Sequence, residues 1–542
     1  MDEFDYVIVG AGTAGCVLAN RLTADGKATV LLLEAGGSDR SVWIQVPIGY
    51  GRTFFDRRVN WMYDTAPVPG LGGRSSYWPR GKVLGGSGSI NAMVYVRGQP
   101  HDFDGWQALG NPGWGWDDVL PFFKQSEDFD GDCALHGKGG PQHVTDISPH
   151  VHPVCHRFIA AAETLGFAPT GDFNGASPEG VGFYQINTRG GWRASTANAF
   201  LRPALRRKNL KVQTKALAAR ILFAGKQAVG IEYTRRGQTK LVRARREVIL
   251  CGGAINSPQL LMLSGIGDPA QLQRLGIAPL VPAKAVGGNL QDHLAVSYFY
   301  KTRTPTLNDV LHPALGKVRA GLRYLFDRGG PLSLSVNQSG GFVRSDPAQR
   351  HANLQLYFSP VSYTQTPLSE RKLLNPDPFS AFLLSHNPCR PTSRGHLELV
   401  SADPAVHPLI QPNYLSTQQD IDDVLVGNRL LRQIAKARPL ADIITEEIIP
   451  GPGFDGDEAL LDDFRQRADT VYHPTSTCMM GPDPVSSVVD ARLRVHGVQG
   501  LRVVDASIFP TITSGNTNAP TVMVAEKGAA MILEDAKNNV SK

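Results

Sequence analysis

Phe4-Asp5-Tyr6-Val7-Ile8-Val9 runs directly into Gly10-Ala11-Gly12-Thr13-Ala14-Gly15. A helical pattern follows through Arg21, then a second apolar run, Ala28 to Leu33, that ends at Glu34. Strand, glycine turn, helix and strand within about thirty residues make a βαβ unit that opens a parallel sheet. The glycines satisfy G-x-G-x-x-G. Gly10 permits the tight turn, Gly12 lets the backbone approach a pyrophosphate, and Gly15 allows the helix to pack closely on the strand. The pyrophosphate is expected at the helix N-terminus, beside Thr13 and Ala14, where free N–H groups and the helix dipole favour anions. Glu34, followed by Ala35, lies 19 residues after Gly15 and is placed to accept hydrogen bonds from an adenosine ribose. The motif alone does not separate a flavin from a nicotinamide dinucleotide.

Working outward, 542 residues exceed one ordinary domain. A hydrophobic fraction of 42 % against 19 % charged excludes global disorder. The net charge of +6 is a weak bias at this length. The densest basic stretches are Arg206-Arg207-Lys208 and Arg243-Ala244-Arg245-Arg246, and both read as solvated edges. No nucleic-acid partner is therefore expected, while attraction to an anionic membrane surface stays open. The cysteines, Cys16, Cys133, Cys155, Cys251, Cys389 and Cys478, include no Cys-x-x-Cys pair. They read as free thiols in a reducing compartment, not as a disulfide framework or a zinc site. No metal is expected. The acidic start Met1-Asp2-Glu3 is unlike a signal peptide, and no apolar run reaches the roughly 18 residues of a membrane span. The expected location is cytoplasmic, with peripheral membrane association left open.

Later segments complete an α/β pattern, α+β overall. Leu210 to Thr214, Ala219 to Phe223, Ala228 to Tyr233 and Val248 to Cys251 read as strands, and Ser257 to Ser264 as helix. Between about 300 and 470 the character changes. Asn353 to Phe358 and His396 to Val400 read as strands and Ile421 to Ala435 as an amphipathic helix, which suggests an antiparallel sheet with helices. The tail returns to α/β with a strand at Leu501 to Val504 and a helix from Ala519 to Asp535.

Two long motifs carry a family resemblance. Gly81-Lys82-Val83-Leu84-Gly85-Gly86-Ser87-Gly88-Ser89-Ile90-Asn91 and Gly253-Ala254-Ile255-Asn256-Ser257-Pro258, continuing to Ser264-Gly265-Ile266-Gly267, resemble the two signatures of glucose-methanol-choline (GMC) oxidoreductases. Further matches are Gly288-Asn289-Leu290-Gln291-Asp292-His293, Pro391 to Gly395, Tyr472-His473-Pro474, Val503 to Ser507, and Gly515-Asn516-Thr517-Asn518-Ala519-Pro520. Within the family, the chain is most similar to choline-dehydrogenase-like and aliphatic alcohol dehydrogenases. The resemblance implies FAD and a Rossmann-like FAD domain interleaved with a substrate domain. The FAD domain is expected over 1–155, 205–298 and 471–542, and the substrate domain over 299–470 with part of 156–204. The loop 81–98 is expected to wrap the flavin. Gly81, Leu84, Gly85, Gly86, Ser87, Asn91, Ala92, Met93 and Val94 are expected to touch it, its small residues letting backbone N–H groups approach. Some relatives attach FAD through a histidine in this loop. Ile90 stands at that position here, so non-covalent FAD is expected.

Alcohol oxidation by a flavin needs a proton acceptor at the hydroxyl, an α-carbon near the flavin, and stabilisation of the reduced ring. His473 matches the family's catalytic histidine and Asn516 the second member of the pair. An amide can hold the substrate oxygen but cannot act as a base, which leaves His473 as the acceptor. Asp505 and Ala506 end a strand where open sheets place ligands, and Asn518 starts a helix whose dipole suits an anionic flavin. His293 and Cys478 read as structural. Trp61, Tyr357, Phe358 and Val471 are candidates for the substrate pocket. The expected reaction is oxidation of a primary alcohol to the aldehyde, with electrons passed to a quinone or other acceptor. The alternatives are an oxidase using O₂ and a non-redox hydroxynitrile-lyase-like flavoprotein. No acidic residue stands out for choline's quaternary ammonium, which favours a neutral aliphatic or aromatic alcohol, with a sugar-like polyol as the alternative.

Overall fold

The structure, a computed structural model, describes residues 1–131, 134–364 and 375–540. Two sheets organise it. The first runs in the order Leu210–Thr214, Val30–Glu34, Asp2–Val9, Gln238–Leu250, Gln227–Arg235, Ala216–Ala224. Its inner pairings are parallel: Tyr6 lies opposite Val30 on one side, and Val7 opposite Val248 on the other. Leu501–Val503 adds another parallel strand beside Val248–Leu250. The buried runs Tyr6–Val9 and Val30–Leu33 are continuous because the sheet is covered: Thr13–Leu22 packs on these strands, and Ala216–Ala224 folds back against Val30–Glu34. Thr13–Leu22 and the long terminal helix Asn518–Val540 pack against each other within the same core. The basic stretch Arg243–Arg246 lies inside the long strand Gln238–Leu250, and Arg245 and Arg246 pair with Asp5 at 3.0 and 3.5 Å.

The second sheet is antiparallel and runs Ile444–Ile449, Leu294–Thr302, Ala381–Pro388, Leu354–Ser359, Ser339–Val343, Gly180–Phe183. The strand Leu294–Thr302 crosses residue 298, where the sequence suggested a boundary. His396–Glu398 does not join this sheet; it pairs with Leu409–Gln411. One face of the sheet sends Val296, Tyr298, Leu354, Leu356, Phe358, Phe382 and Leu384 into a core shared with the helices Val154–Thr164, Gln418–Lys436 and Asp457–Arg467. The other face lines a cavity. Alternation in these strands therefore separates core from cavity, not core from solvent, and every residue of Leu354–Ser359 is buried.

Cys16, Cys155, Cys251, Cys389 and Cys478 are buried free thiols; Cys133 lies outside the described residues. Among the described residues no group of side chains is arranged to hold a metal, and no helix is long and apolar enough to cross a membrane.

Candidate active site

A cavity of 540 Å³ runs between the carboxyl ends of the parallel strands and the inner face of the antiparallel sheet. Of the residues expected at the cofactor, Gly10, Gly12, Thr13, Ala14, Glu34, Ala35, Gly81, Gly86, Ser87, Asn91, Ala92, Met93, Val94, Asp505, Ala506 and Asn518 line it. Gly15, Leu84 and Gly85 do not. Gly15 stands behind the turn, where its missing side chain leaves room for the carbonyl oxygen of Gly10. Gly85 donates its N–H to the Ala11 carbonyl at 2.7 Å, and Leu84 donates to the Gly37 carbonyl at 3.0 Å. These three build the cradle without facing its interior.

The cradle is shaped by absent side chains. Gly10 and Gly86 adopt φ values of +99° and +54°. A Cβ at Gly86 would lie 2.7 Å from Cα of Gly12, so the wrapping loop and the dinucleotide turn meet backbone to backbone. Thr13 Oγ1 donates to Asn518 Oδ1 at 2.9 Å, which brings the N-termini of two helices to one wall. Glu34 accepts N–H bonds from Ala11 at 2.9 Å and Gly36 at 2.8 Å, and burial lifts its carboxyl to about 7. Each oxygen keeps a second lone pair for a ribose hydroxyl. Asp505 accepts from Gly253 N at 2.8 Å and Ser257 Oγ at 2.6 Å, tying the second signature to the last strand. Glycine turn, facing helix ends and ribose acid together fit a dinucleotide of the FAD type.

At the other end stands His473. Asp292 Oδ1 accepts its backbone N–H at 2.7 Å, while Oδ2 accepts from Thr470 Oγ1 at 2.5 Å and from Tyr414 Oη. Tyr472, just before it, is held at φ +70° with its N–H donated to Thr470 Oγ1 at 2.7 Å. The imidazole sits in a chain of hydrogen bonds that fixes its tautomer. The carbonyl of Cys389 can only accept, so His293 donates Nε2–H to it at 2.9 Å. His293 Nδ1 is then an acceptor, and His473 Nδ1 donates to it at 3.0 Å. His473 Nε2 is left with its lone pair, 3.1 Å from the donating Asn516 amide. Gln355 Nε2 fixes that amide by donating to Asn516 Oδ1 at 3.3 Å. Burial first, then His293 and the Arg80 guanidinium, hold His473 well below the usual histidine range, hence neutral.

Asn516 and His473 both line the cavity, as do Trp61, Tyr357 and Val471. Phe358 does not: the strand pleat turns it to the helical side, where it stacks on Phe158 with centroids 5.1 Å apart. His293 is fully buried and, far from a packing residue alone, sets which nitrogen of His473 is basic. Cys478 is fully buried and does not line the cavity, and burial raises its thiol well above the usual value. Arg80 escaped the sequence reading. It lines the cavity, donates to Ser87 Oγ at 3.0 Å and to the Tyr472 carbonyl at 2.8 Å, and burial draws it down to about 10. Its position beside Gly81 was visible, but its approach to His473 depends on two segments nearly 400 residues apart (392 for the Tyr472 bond).

Models of the GMC oxidoreductase family match residues 4–295 and 391–525. The chain belongs to the GMC oxidoreductases. It is 44 % identical to the mitochondrial choline dehydrogenase of Homo sapiens, over 98 % of this chain and 90 % of that one. It is 43 % identical to the alcohol dehydrogenase [acceptor] of Pseudomonas putida, over 98 % and 96 %. Among solved structures, pyridoxine 4-oxidase from Mesorbium loti superposes with a TM-score of 0.87 at 32 % identity, covering 97 % of this chain and 98 % of that one. A formate oxidase of Aspergillus oryzae RIB40 gives 0.91 at 26 %, covering 99 % of each. As a GMC oxidoreductase the protein uses FAD and acts on CH–OH donors.

Proposed function

We propose that this GMC oxidoreductase oxidises an uncharged primary alcohol to the aldehyde and passes the electrons to a quinone or similar acceptor. The observation that carries this reading is the pairing of His473 Nε2, a neutral acceptor, with the Asn516 amide, a donor, on one cavity wall. A hydroxyl entering there meets both. His473 takes the proton, and Asn516 holds the oxygen as negative charge develops. Bound FAD supplies the hydride acceptor. Ile90, which also lines the cavity, offers no group for a covalent link, in keeping with non-covalent FAD.

The substrate end is walled by alternate residues of the antiparallel sheet: Ala295, Ser297 and Phe299, then Leu383 and Ser385, then Tyr357. Tyr363, Val336 and Ile449 extend the apolar surface. The charged groups on that side are Arg80, Arg467 and Asp469; Arg467 is held by Asp463 at 2.5 Å, and Asp469 already accepts from Ser76 Oγ at 2.6 Å. Glu34 and Asp505 are engaged at the cofactor end. This lining suits a neutral aliphatic or aromatic alcohol better than a quaternary ammonium.

The test is anaerobic addition of butanol, octanol, benzyl alcohol, sorbitol and choline to the holoenzyme, followed by a dye acceptor. An apolar primary alcohol is expected to bleach the visible flavin band fastest, with dye reduction and little peroxide in air. Fastest bleaching by choline or sorbitol overturns the substrate class, abundant peroxide turns the enzyme into an oxidase, and no bleaching by any alcohol removes hydride transfer.

A further inference from the structure

Ala314–Asp327 is a helix that buries almost nothing of itself. Among its residues only Ala320 and Tyr324 are buried. The opposite side carries Leu315, Val318, Leu322, Leu325 and Phe326, exposed by 61, 57, 48, 62 and 82 %. Their spacing puts them on one continuous stripe. Single exposed apolar residues are ordinary on a soluble surface, but a stripe of five on one helix is not.

The charges around the stripe are of one sign until the helix ends. Lys317, Arg319 and Arg323 are exposed on the same helix, and the first carboxylate is Asp327 at its last position. Arg328 follows, with its guanidinium 4.6 Å from the ring of Trp192. Trp192, itself 39 % exposed, packs edge-on to Tyr324 at 5.9 Å. An apolar stripe, a basic border and a flanking tryptophan are the parts of a helix that lies in a bilayer interface. A protein partner would satisfy the stripe alone. The uniformly cationic border matches a surface of anionic headgroups.

We infer that Ala314–Asp327 docks this protein on an anionic lipid bilayer, with the helix lying in the membrane plane. The inner face of the helix points to what docking accomplishes. Ala320 and Tyr324 share a packed cluster with Tyr50 and Val336, and both of those line the substrate cavity. The docked element and the cavity thus have a wall in common. A lipid-soluble alcohol or quinone, concentrated in the bilayer, is delivered next to the site that consumes it. Docking does not depend on which alcohol is oxidised, so its failure and the failure of the substrate reading are separate results.

The test is cosedimentation of the holoenzyme with vesicles of phosphatidylcholine alone and of phosphatidylcholine mixed with phosphatidylglycerol. Pelleting is expected with the anionic vesicles only, and to weaken as salt rises. The variant Lys317→Gln/Arg319→Gln/Arg323→Gln is expected to lower the partition coefficient on the order of a hundredfold. The variant Leu325→Ser/Phe326→Ser is expected to lower it at least about tenfold. Both should keep the wild-type flavin spectrum and thermal midpoint, since neither touches the cavity. A protein that stays in the supernatant with both vesicles overturns the inference. So does a triple variant that still pellets, or a wild-type dimer that the Leu325→Ser/Phe326→Ser change converts to monomer, which would assign the stripe to a second copy of the chain.

Discussion

Replacing His473 by alanine is expected to lower kcat/KM for the best alcohol by about 10² to 10⁴-fold, the range for loss of a positioned general base. Stopped-flow reduction of the flavin measures it directly. The fall should appear in the reduction rate itself, because Nε2 is the acceptor that the Cys389–His293 chain leaves free on the cavity wall. A His473→Ala enzyme that reduces its flavin at the wild-type rate would remove the base assignment. Asn516→Ala should cost less, about 10-fold to 100-fold, since it removes a donor to the developing negative charge and spares the base. The pH profile carries a sign. The base works when deprotonated, so kcat/KM rises with pH through its folded value. Burial, His293 and Arg80 all depress that value. The acid limb of the wild-type profile is therefore expected below about 6.5, the ordinary histidine value. A limb well above it would show that bound flavin or substrate outweighs those effects.

Gly15→Ala and Gly12→Ala are expected to fail in different ways. A Cβ at Gly15 would fall on the carbonyl oxygen of Gly10, backbone that carries the first strand into the turn. Neither partner can yield without parting helix from strand, so the apoprotein should lose about 3 kcal/mol or more, at the upper end for overpacking. At Gly12 the nearest atoms to a Cβ are 3.8 and 3.9 Å away. The methyl group fits the apoprotein and projects into the space a pyrophosphate needs. Gly12→Ala should therefore leave the denaturant midpoint of the apoprotein nearly unchanged while weakening FAD binding at least about tenfold, the effect of roughly 1.4 kcal/mol. Denaturation of the two apoproteins and fluorescence titration with FAD separate the cases. Equal loss of apoprotein stability in both would mean that Gly12 is a packing residue too.

The dinucleotide turn was legible in the sequence because its parts are local. Gly10, Gly12, Gly15 and Glu34 lie within one βαβ unit, and backbone sterics leave that spacing few other meanings. The signature loop was legible for a related reason: Gly85 and Gly86 sit where positive φ and close approach admit no side chain. Most residues read this way do face the cavity. The exceptions, Gly15, Leu84 and Gly85, belong to the same motifs but serve the back of the cradle, a distinction that spacing cannot express.

What the sequence determined by itself was the family, the cofactor, and the pair His473 and Asn516, since all three rest on contiguous motifs. What only the tertiary structure decided was the chemistry assigned to each nitrogen and the face shown by each strand. His293 and His473 are 180 residues apart, yet a 3.0 Å bond between them selects the tautomer. Tyr357 faces the cavity and Phe358 the core because pleating alternates side chains, and only the packed sheet shows which side is which. The sequence reading places no element at Ala314–Asp327, and a helix ordinarily turns its apolar side to the core. The fold turns that side outward, because Ala320 and Tyr324 occupy the contact with the core and leave Leu322, Leu325 and Phe326 to whatever lies outside the protein.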